Sequence, residues 1–347
     1  AKPFPYAEAG LSRRQAAVHL LQRMTFGVRA QDVAHIEQVG PEAWVESQLA
    51  ASLPDTALQQ RLQPLECLGL EDTEIRTAYI QRNRLVDLAE RDGLPKFMDG
   101  DPAERRRYEM DLREFKQRRE LSTVDDLFDQ IRYQKLLRAC YSENQLREVL
   151  TDFWFNHFNV TAQNPAIRFN TLSYEQRLRE RALGSFPDML LEVARHPAML
   201  YYLNNAQSSA FPSAKTTLNY RFEAAPKEEQ PDLRRGQPLK RKNGGLNENF
   251  AREVLELHTL GVDGGYQQQD VTEVARALSG WTVHYREADN PRLSELIEPG
   301  ARLGYVRQGD FLFRADWHDA EPKTILGHSL EAGGGIDRKS TRLNSSH

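Results

Sequence analysis

Residues 243–281, NGGLNENFAREVLELHTLGVDGGYQQQDVTEVARALSGW, decide the reading of the chain. Two apolar stripes of helical spacing run through this stretch. Phe250, Val254 and Leu257 share one face of a helix over 249–260. Val271, Val274, Ala275 and Leu278 share one face of a second, which Gly280 ends. The turn GVDGG at 261–265 separates them and lacks the spacing of a phosphate-binding loop. Asp270 and Glu273 have the spacing of a helix-opening capping box.

The same grammar extends in both directions. Ser12 and Gln15 form a capping-box signal ahead of Val18, Leu20 and Leu21. Gly40 and Pro41 punctuate two further helices, the second anchored by Trp44 and Leu49. Residues 76–97 read as helical. The mixed-charge run DGDPAERRRYEMDLREFKQRRELS reads as a solvent-facing helix, with a polyanion-binding face as the alternative. Ser142 to Gln145 repeats the capping signal before a stripe of Leu146, Val149, Leu150, Phe153, Trp154 and His157. Helices over 171–183, 186–195 and 197–204 follow, with Pro187 and Pro197 in first turns. Beyond 282, alternation in VHYREA and GYVRQGDFLFRADWH predicts one or two short strands. The expected fold is therefore all-α, a multi-helix globular domain with a few short strands near the C-terminus.

A chain of 347 residues accommodates one large domain or two packed ones. We read 11–336 as a single large helical domain, truncated at its C-terminal side. Residues 207–246 read as an inserted loop or lid, or as a surface insertion without chemistry. The polar, aperiodic segment 337–347 reads as a non-native tail of the kind found in metagenomic gene models. Hydrophobic residues at 39% and charged residues at 28% are globular values and argue against disorder. A net charge of -4 provides no field for nucleic acid. No apolar stretch reaches membrane-spanning length. Cys67 and Cys140 allow one disulfide or two buried thiols and no thiolate metal cluster.

The chemistry-bearing residues gather around the first helix of the opening stretch. Glu253 and Glu256 stand three apart on one face, with Glu248 a turn earlier. Carboxylates in unequal environments divide acid and base roles; on most helices they only solubilise. Arg252 would neutralise either one. His258 lies two positions beyond Glu256 and faces away from it, so these residues do not form the His-Glu-x-x-His pattern of zinc proteases. His157 ends an apolar stripe, as a satisfied core histidine or a ligand-facing one. His318 sits in WHD ahead of Lys323. Trp281, with Trp317, Tyr201 and Tyr202, would stack on a polyol if all faced one cleft. No Gly-x-Ser-x-Gly elbow is present.

Several separated motifs, in order, resemble the bacterial domain-of-unknown-function family numbered 1800. They are HLLQRMTFG at 19–27, FWFNHFNV at 153–160 and HPAMLYYLNNAQS at 196–208, then NENFAREVLELHTLG at 247–261, DVTEVARALSGWTV at 270–283 and HDAEPKTILG at 318–327. The resemblance implies a mostly helical, often exported protein, hence secreted or periplasmic, and brings no settled chemistry. It places His157, Asn247, Glu248, Arg252, Glu253, Glu256 and His318 within recurring motifs, with an aromatic common where this chain has His258.

The leading expectation is a hydrolase acting on an extracellular polysaccharide or other polyol polymer. Glu253, Glu256 and Glu248 are its catalytic carboxylates, and His157, Asn247, Arg252, Trp281 and His318 bind substrate. This reading requires no metal or other cofactor. The first alternative is a hydrolase using a divalent metal held by His157, His318 and a Glu. The second is a non-enzymatic cell-surface binding or assembly module.

Overall fold

A computed structural model describes residues 4–95, 97, 101–227, 230, 245–285, 304–334 and 336. It is mostly helical, with short strands concentrated toward the C-terminus. The chain divides into two compact units, one of Ala1–Asn156 with Arg168–Ser185, the other of His157–Ile167 with Phe186–His347. The tail at 337–347 and residues 228–229 and 231–244 of the loop reading lie outside the described residues.

The first unit contains ten α-helices among the described residues: α1 (Arg13–Met24), α2 (Ala30–Val39), α3 (Pro41–Ala50), α4 (Thr56–Leu62), α5 (Asp72–Ala78), α6 (Arg82–Arg91), α7 (Pro102–Arg118), α8 (Val124–Tyr141), α9 (Gln145–His157, whose last residue opens the second unit) and α10 (Thr171–Arg181). Ser12 closes its capping box, accepting from Gln15 N while its own N–H donates to Gln15. Gly40, at φ +99°, turns the chain into Pro41 at the first position of α3. Helices α1 to α3 close on Ala17, Leu21, Val33, Ile36, Trp44 and Val45. Leu49 departs from the expected anchor role and is 55% exposed. A second core joins Ile75, Tyr79, Leu127, Ile131 and Leu172 around Cys67. Beside it, β1 (Tyr79–Ile80) pairs in parallel with β2 (Ser122–Thr123). Both cysteines are free thiols, Cys67 buried and Cys140 exposed. Burial pushes the Cys67 thiol up to about 11.

The entry to α9 differs from the expected capping box. The Ser142 hydroxyl donates to Asp55, and the helix begins at Gln145. Asp55 also accepts from Glu143 N, while Gln48 receives Leu146 N and donates to Glu143 O. The long-range Gln48 side chain thus serves an amide of the first turn, while the local Ser142 hydroxyl accepts only from Asn144 N, before the helix. The buried positions of α9 are Gln145, Leu146, Glu148 and Thr151, whereas Phe153 is 55% exposed. The expected apolar stripe is displaced because Glu148 turns inward to a cationic partner, Arg179.

The second unit contains α11 (Phe186–Arg195), α12 (Pro197–Tyr202), α13 (Thr217–Ala224), α14 (Glu248–Leu255) and α15 (Gln268–Leu278). Helix α13 lies within the stretch read as a loop, started by a Thr216–Asn219 capping box. Helices α14 and α15 bury Ala251, Leu255, Val271, Val274 and Ala275 against one another. Leu257, expected on this face, is 57% exposed. The inward face keeps the expected Phe250 and runs on through Ala251, Leu255 and His258, one residue beyond the expected Val254 and Leu257. Asp270 caps from inside the helix, accepting Gln267 N, while Glu273 pairs with Arg276.

The described strands of the second unit form two sheets, more than the one or two strands anticipated. β3 (Trp281–Val283) and β4 (Val306–Gln308) flank β5 (Phe311–Phe313), all antiparallel. β6 (Lys323–Ile325) and β7 (His328–Leu330) form a hairpin whose two turn residues, Leu326 and Gly327, have φ of +50° and +78°.

A buried ion cluster fastens α15 to the segment between β5 and β6. The Arg276 guanidinium donates to both oxygens of Asp319 at 2.9 and 3.1 Å. Lys323 Nζ donates to Asp319 Oδ1 at 3.3 Å and to the carbonyls of Asp319 and Glu321. Burial alone would raise the Asp319 carboxyl, yet Arg276 and Lys323 outweigh it and hold it below the usual range. Gly280, at φ +78°, passes so close that a Cβ there would lie 2.6 Å from the Arg314 carbonyl oxygen. Asp319→Ala would leave the buried Lys323 ammonium without a carboxylate, while Arg276 keeps Glu273, and is expected to cost about 3 kcal/mol, read as a lower urea midpoint. An unchanged midpoint would remove Asp319 from the framework. Gly280→Ala is expected to lower the midpoint as well, by backbone clash.

Candidate functional site

Helix α14 presents the carboxylates, and its cap sets where they begin. The Asn247 side chain accepts from Asn249 N at 2.9 Å and donates to the carbonyls of Leu203 and Asn204. It therefore docks the helix start onto the end of α12 as well as capping it. Glu248 accepts from Gln268 Nε2 at 2.6 Å and Thr272 Oγ1 at 2.8 Å. Arg252 donates to the carbonyl oxygen of the same Gln268 amide at 2.7 Å. Glu248, Gln268 and Arg252 form one chain between α14 and α15.

After Leu255 the backbone widens into a turn of π-helix over Glu256–Leu260. Thr259 Oγ1 donates to the carbonyl of Val254, five residues back, at 2.6 Å. Such widened turns recur at functional sites. Here it carries Glu256, which accepts from the Tyr266 hydroxyl at 2.9 Å, and His258, which points inward.

Glu253 stands apart. It is half-buried and makes no hydrogen bond or ion pair among the described residues. Burial and the nearby charge of Glu256 raise its carboxyl, opposed by Arg252. Glu253 and Glu256 thus occupy unequal environments within one helical turn, the condition under which a carboxylate pair divides acid and base roles.

His258 is 6% exposed, and its Nδ1 has no hydrogen-bond partner among the described residues. Its ring lies 5.1 Å from that of Phe158 and 6.3 Å from that of His157. Burial, then the charge of His157, pushes it down to about 4. His157 is half-buried and places Nε2 3.3 Å from the His258 carbonyl oxygen.

The other expected substrate contacts are interior. His318 is 1% exposed; its Nδ1 donates to the Ser279 carbonyl at 2.8 Å and its ring packs on Phe313. Trp281 is buried against Phe311 with the Arg195 guanidinium 5.6 Å over its ring. Neither presents a surface to a polymer. The structure brings Glu248 and Arg252 onto one network, Glu253 and Glu256 within mutual electrostatic reach, and His157 beside His258. Among the described residues, no three His, Cys, Asp or Glu side chains are placed to hold a metal ion.

The densest charge in the first unit escaped the sequence reading. Glu148 and Glu175 are buried, and Arg179 donates to both. Gln134 links Glu175 to Arg138, donating to the carboxylate and accepting from Arg138 Nε. Burial and the charge of Arg179 push the Arg138 guanidinium down to about 10. Gln134–Arg138 and Glu175–Arg179 are each four residues apart on a helix, a spacing that signals the pairs but not their burial.

The chain belongs to the family described as Protein of unknown function (DUF1800), which it matches over residues 19–343. No curated protein and no solved structure matches it.

His258 makes stability depend on pH. Its folded value lies below the unfolded value of about 6.5, so folding favours the neutral ring. Stability is full above about pH 6.5 and falls by up to about 1.4 kcal/mol per unit as pH drops toward the folded value. His258→Phe is expected to flatten this slope in thermal unfolding measured between pH 7 and about 4. An equal slope in the variant would assign the dependence elsewhere.

Proposed function

We propose that this protein is a hydrolase of extracellular polysaccharide, secreted or periplasmic, in which Glu253 donates the proton and Glu256 is its partner carboxylate. The observation that carries this reading is the inequality of the two. Glu253 is unpartnered with a raised carboxyl, whereas Glu256 is hydrogen-bonded by Tyr266. A carboxyl raised above the ordinary range suits a general acid, and a neighbour fixed by a hydrogen bond suits the partner position. Glu248 moves from the catalytic set to a supporting one, because Gln268 and Thr272 engage both its oxygens. Through Gln268 it orients Arg252, whose charge limits the rise at Glu253.

A second reading, a binding or assembly module without catalysis, has one observation in its favour. Leu257, Leu260 and Val262 stand exposed on and just beyond the π-turn, at 57%, 43% and 68%. Exposed apolar side chains close in sequence suit a partner surface.

The test is turnover of pooled polysaccharides by wild type and Glu253→Gln, with products detected by mass spectrometry. The expected outcome is product from wild type and a kcat lower by about 10²–10⁴-fold in the variant, the usual worth of a general acid. Wild-type activity should decline as pH rises through the Glu253 value, since the acid form is the active one. Equal turnover by the variant would remove Glu253 from the chemistry. No product from folded wild type would favour the binding reading.

A further inference from the structure

The first unit contains a cavity of about 440 Å³ between α8, α9 and α10, within the usual range for small-molecule sites. Four cationic and three anionic side chains line it; of the cations, Arg132 is paired with Asp129 at 2.8 Å outside the lining. The cations with spare donors are identifiable. Arg138 uses Nε on Gln134, and its two terminal nitrogens make no hydrogen bond among the described residues. The nearest carboxylate oxygen, Glu148 Oε1, stops 3.8 Å from Arg138 Nη1 and is itself buried without a hydrogen bond. Glu148 therefore keeps the guanidinium charged beside the cavity without occupying its outer donors. Lys135 Nζ likewise makes only long ion pairs, 3.6 Å to Asp152 and 3.9 Å to Glu175, and lies 4.5 Å over the Phe155 ring.

The remaining lining completes the description of a ligand. Asp152 is half-exposed, and its Oδ1 accepts no hydrogen bond among the described residues, so it can receive a hydroxyl. Phe26 and Leu136, 49% and 63% exposed, supply an apolar rim. The Phe26 segment is held there by its N–H donating to Gln145.

We propose that this cavity binds a uronic acid ring, free or at the end of a chain. The carboxylate is received by Arg138 and Lys135, a ring hydroxyl donates to Asp152, and the C–H face of the sugar rests on Phe26 and Leu136. A planar guanidinium with open donors matches a carboxylate. The apolar rim and the acceptor beside the cations discriminate against a bare inorganic anion. The site stands independently of Glu253, since it requires binding alone and no turnover.

Titration calorimetry tests it with glucuronate, an oligogalacturonate, glucose and cyclohexanecarboxylate. The expected result is saturable binding of glucuronate or the oligomer, with glucose and cyclohexanecarboxylate at least ten-fold weaker. Lys135→Met should weaken the uronate at least ten-fold. Leu136→Trp, a change at an exposed rim position, should block it if Lys135→Met does not fold. Binding of the monomer alone indicates a free sugar acid, and binding of the oligomer a polymer end; both support the site. No saturable uronate binding, equal binding of either control, or undiminished binding by the folded variants would overturn it.

Discussion

A charge buried in a protein needs a partner, and this constraint organises both units. In the second, Asp319 lies between Arg276 and Lys323, so the end of α15 and the segment before β6 have one favourable register. Ser279 reinforces it, accepting from Asp319 N through its hydroxyl and from His318 through its carbonyl. In the first, Glu148 and Glu175 surround Arg179 and set the rotation of α9 against α10. Apolar burial makes these helices pack, but the ion clusters specify how.

That constraint recasts several polar residues. Asn247, His318 and Trp281 look like parts of a binding site when read along the chain; His318 and Trp281 are buried, and the half-buried Asn247 is taken up by the helix cap and the carbonyls of Leu203 and Asn204. Glu253 is the exception on α14. Its neighbours Glu248, Arg252 and Glu256 all have hydrogen-bond partners, which leaves Glu253 as the group whose environment is not explained by packing. The same criterion, charge not consumed by structure, singles out the outer nitrogens of Arg138 and the ammonium of Lys135 in the first unit.

The π-turn after α14 connects these two kinds of residue. It follows the helix that carries Glu253 and brings His258 inward, where burial keeps the ring neutral. A neutral imidazole with a free Nδ1 beside Phe158 is a cost the fold tolerates. An aromatic in its place would fill the same space without that cost.

Helix existence was largely legible because it depends on local periodicity and local caps. Ser12–Gln15, Gly40–Pro41 and Pro197 mark boundaries that the structure retains. The strands after Gly280 were legible in kind, though their number was not. Phase was not legible at Leu257 or Phe153, where one residue of rotation exchanges a buried position for an exposed one. The start of α9 failed for a related reason, since its amide groups are served by Gln48 and by a loop anchored at Asp55, about ninety residues away. The sequence by itself determined a helical member of its family and the helix that carries the carboxylates, because periodicity and motif order are written along the chain. Only the tertiary structure decided which charges are consumed by the framework and which stay uncommitted, because that depends on partners that are distant in sequence and become neighbours on folding.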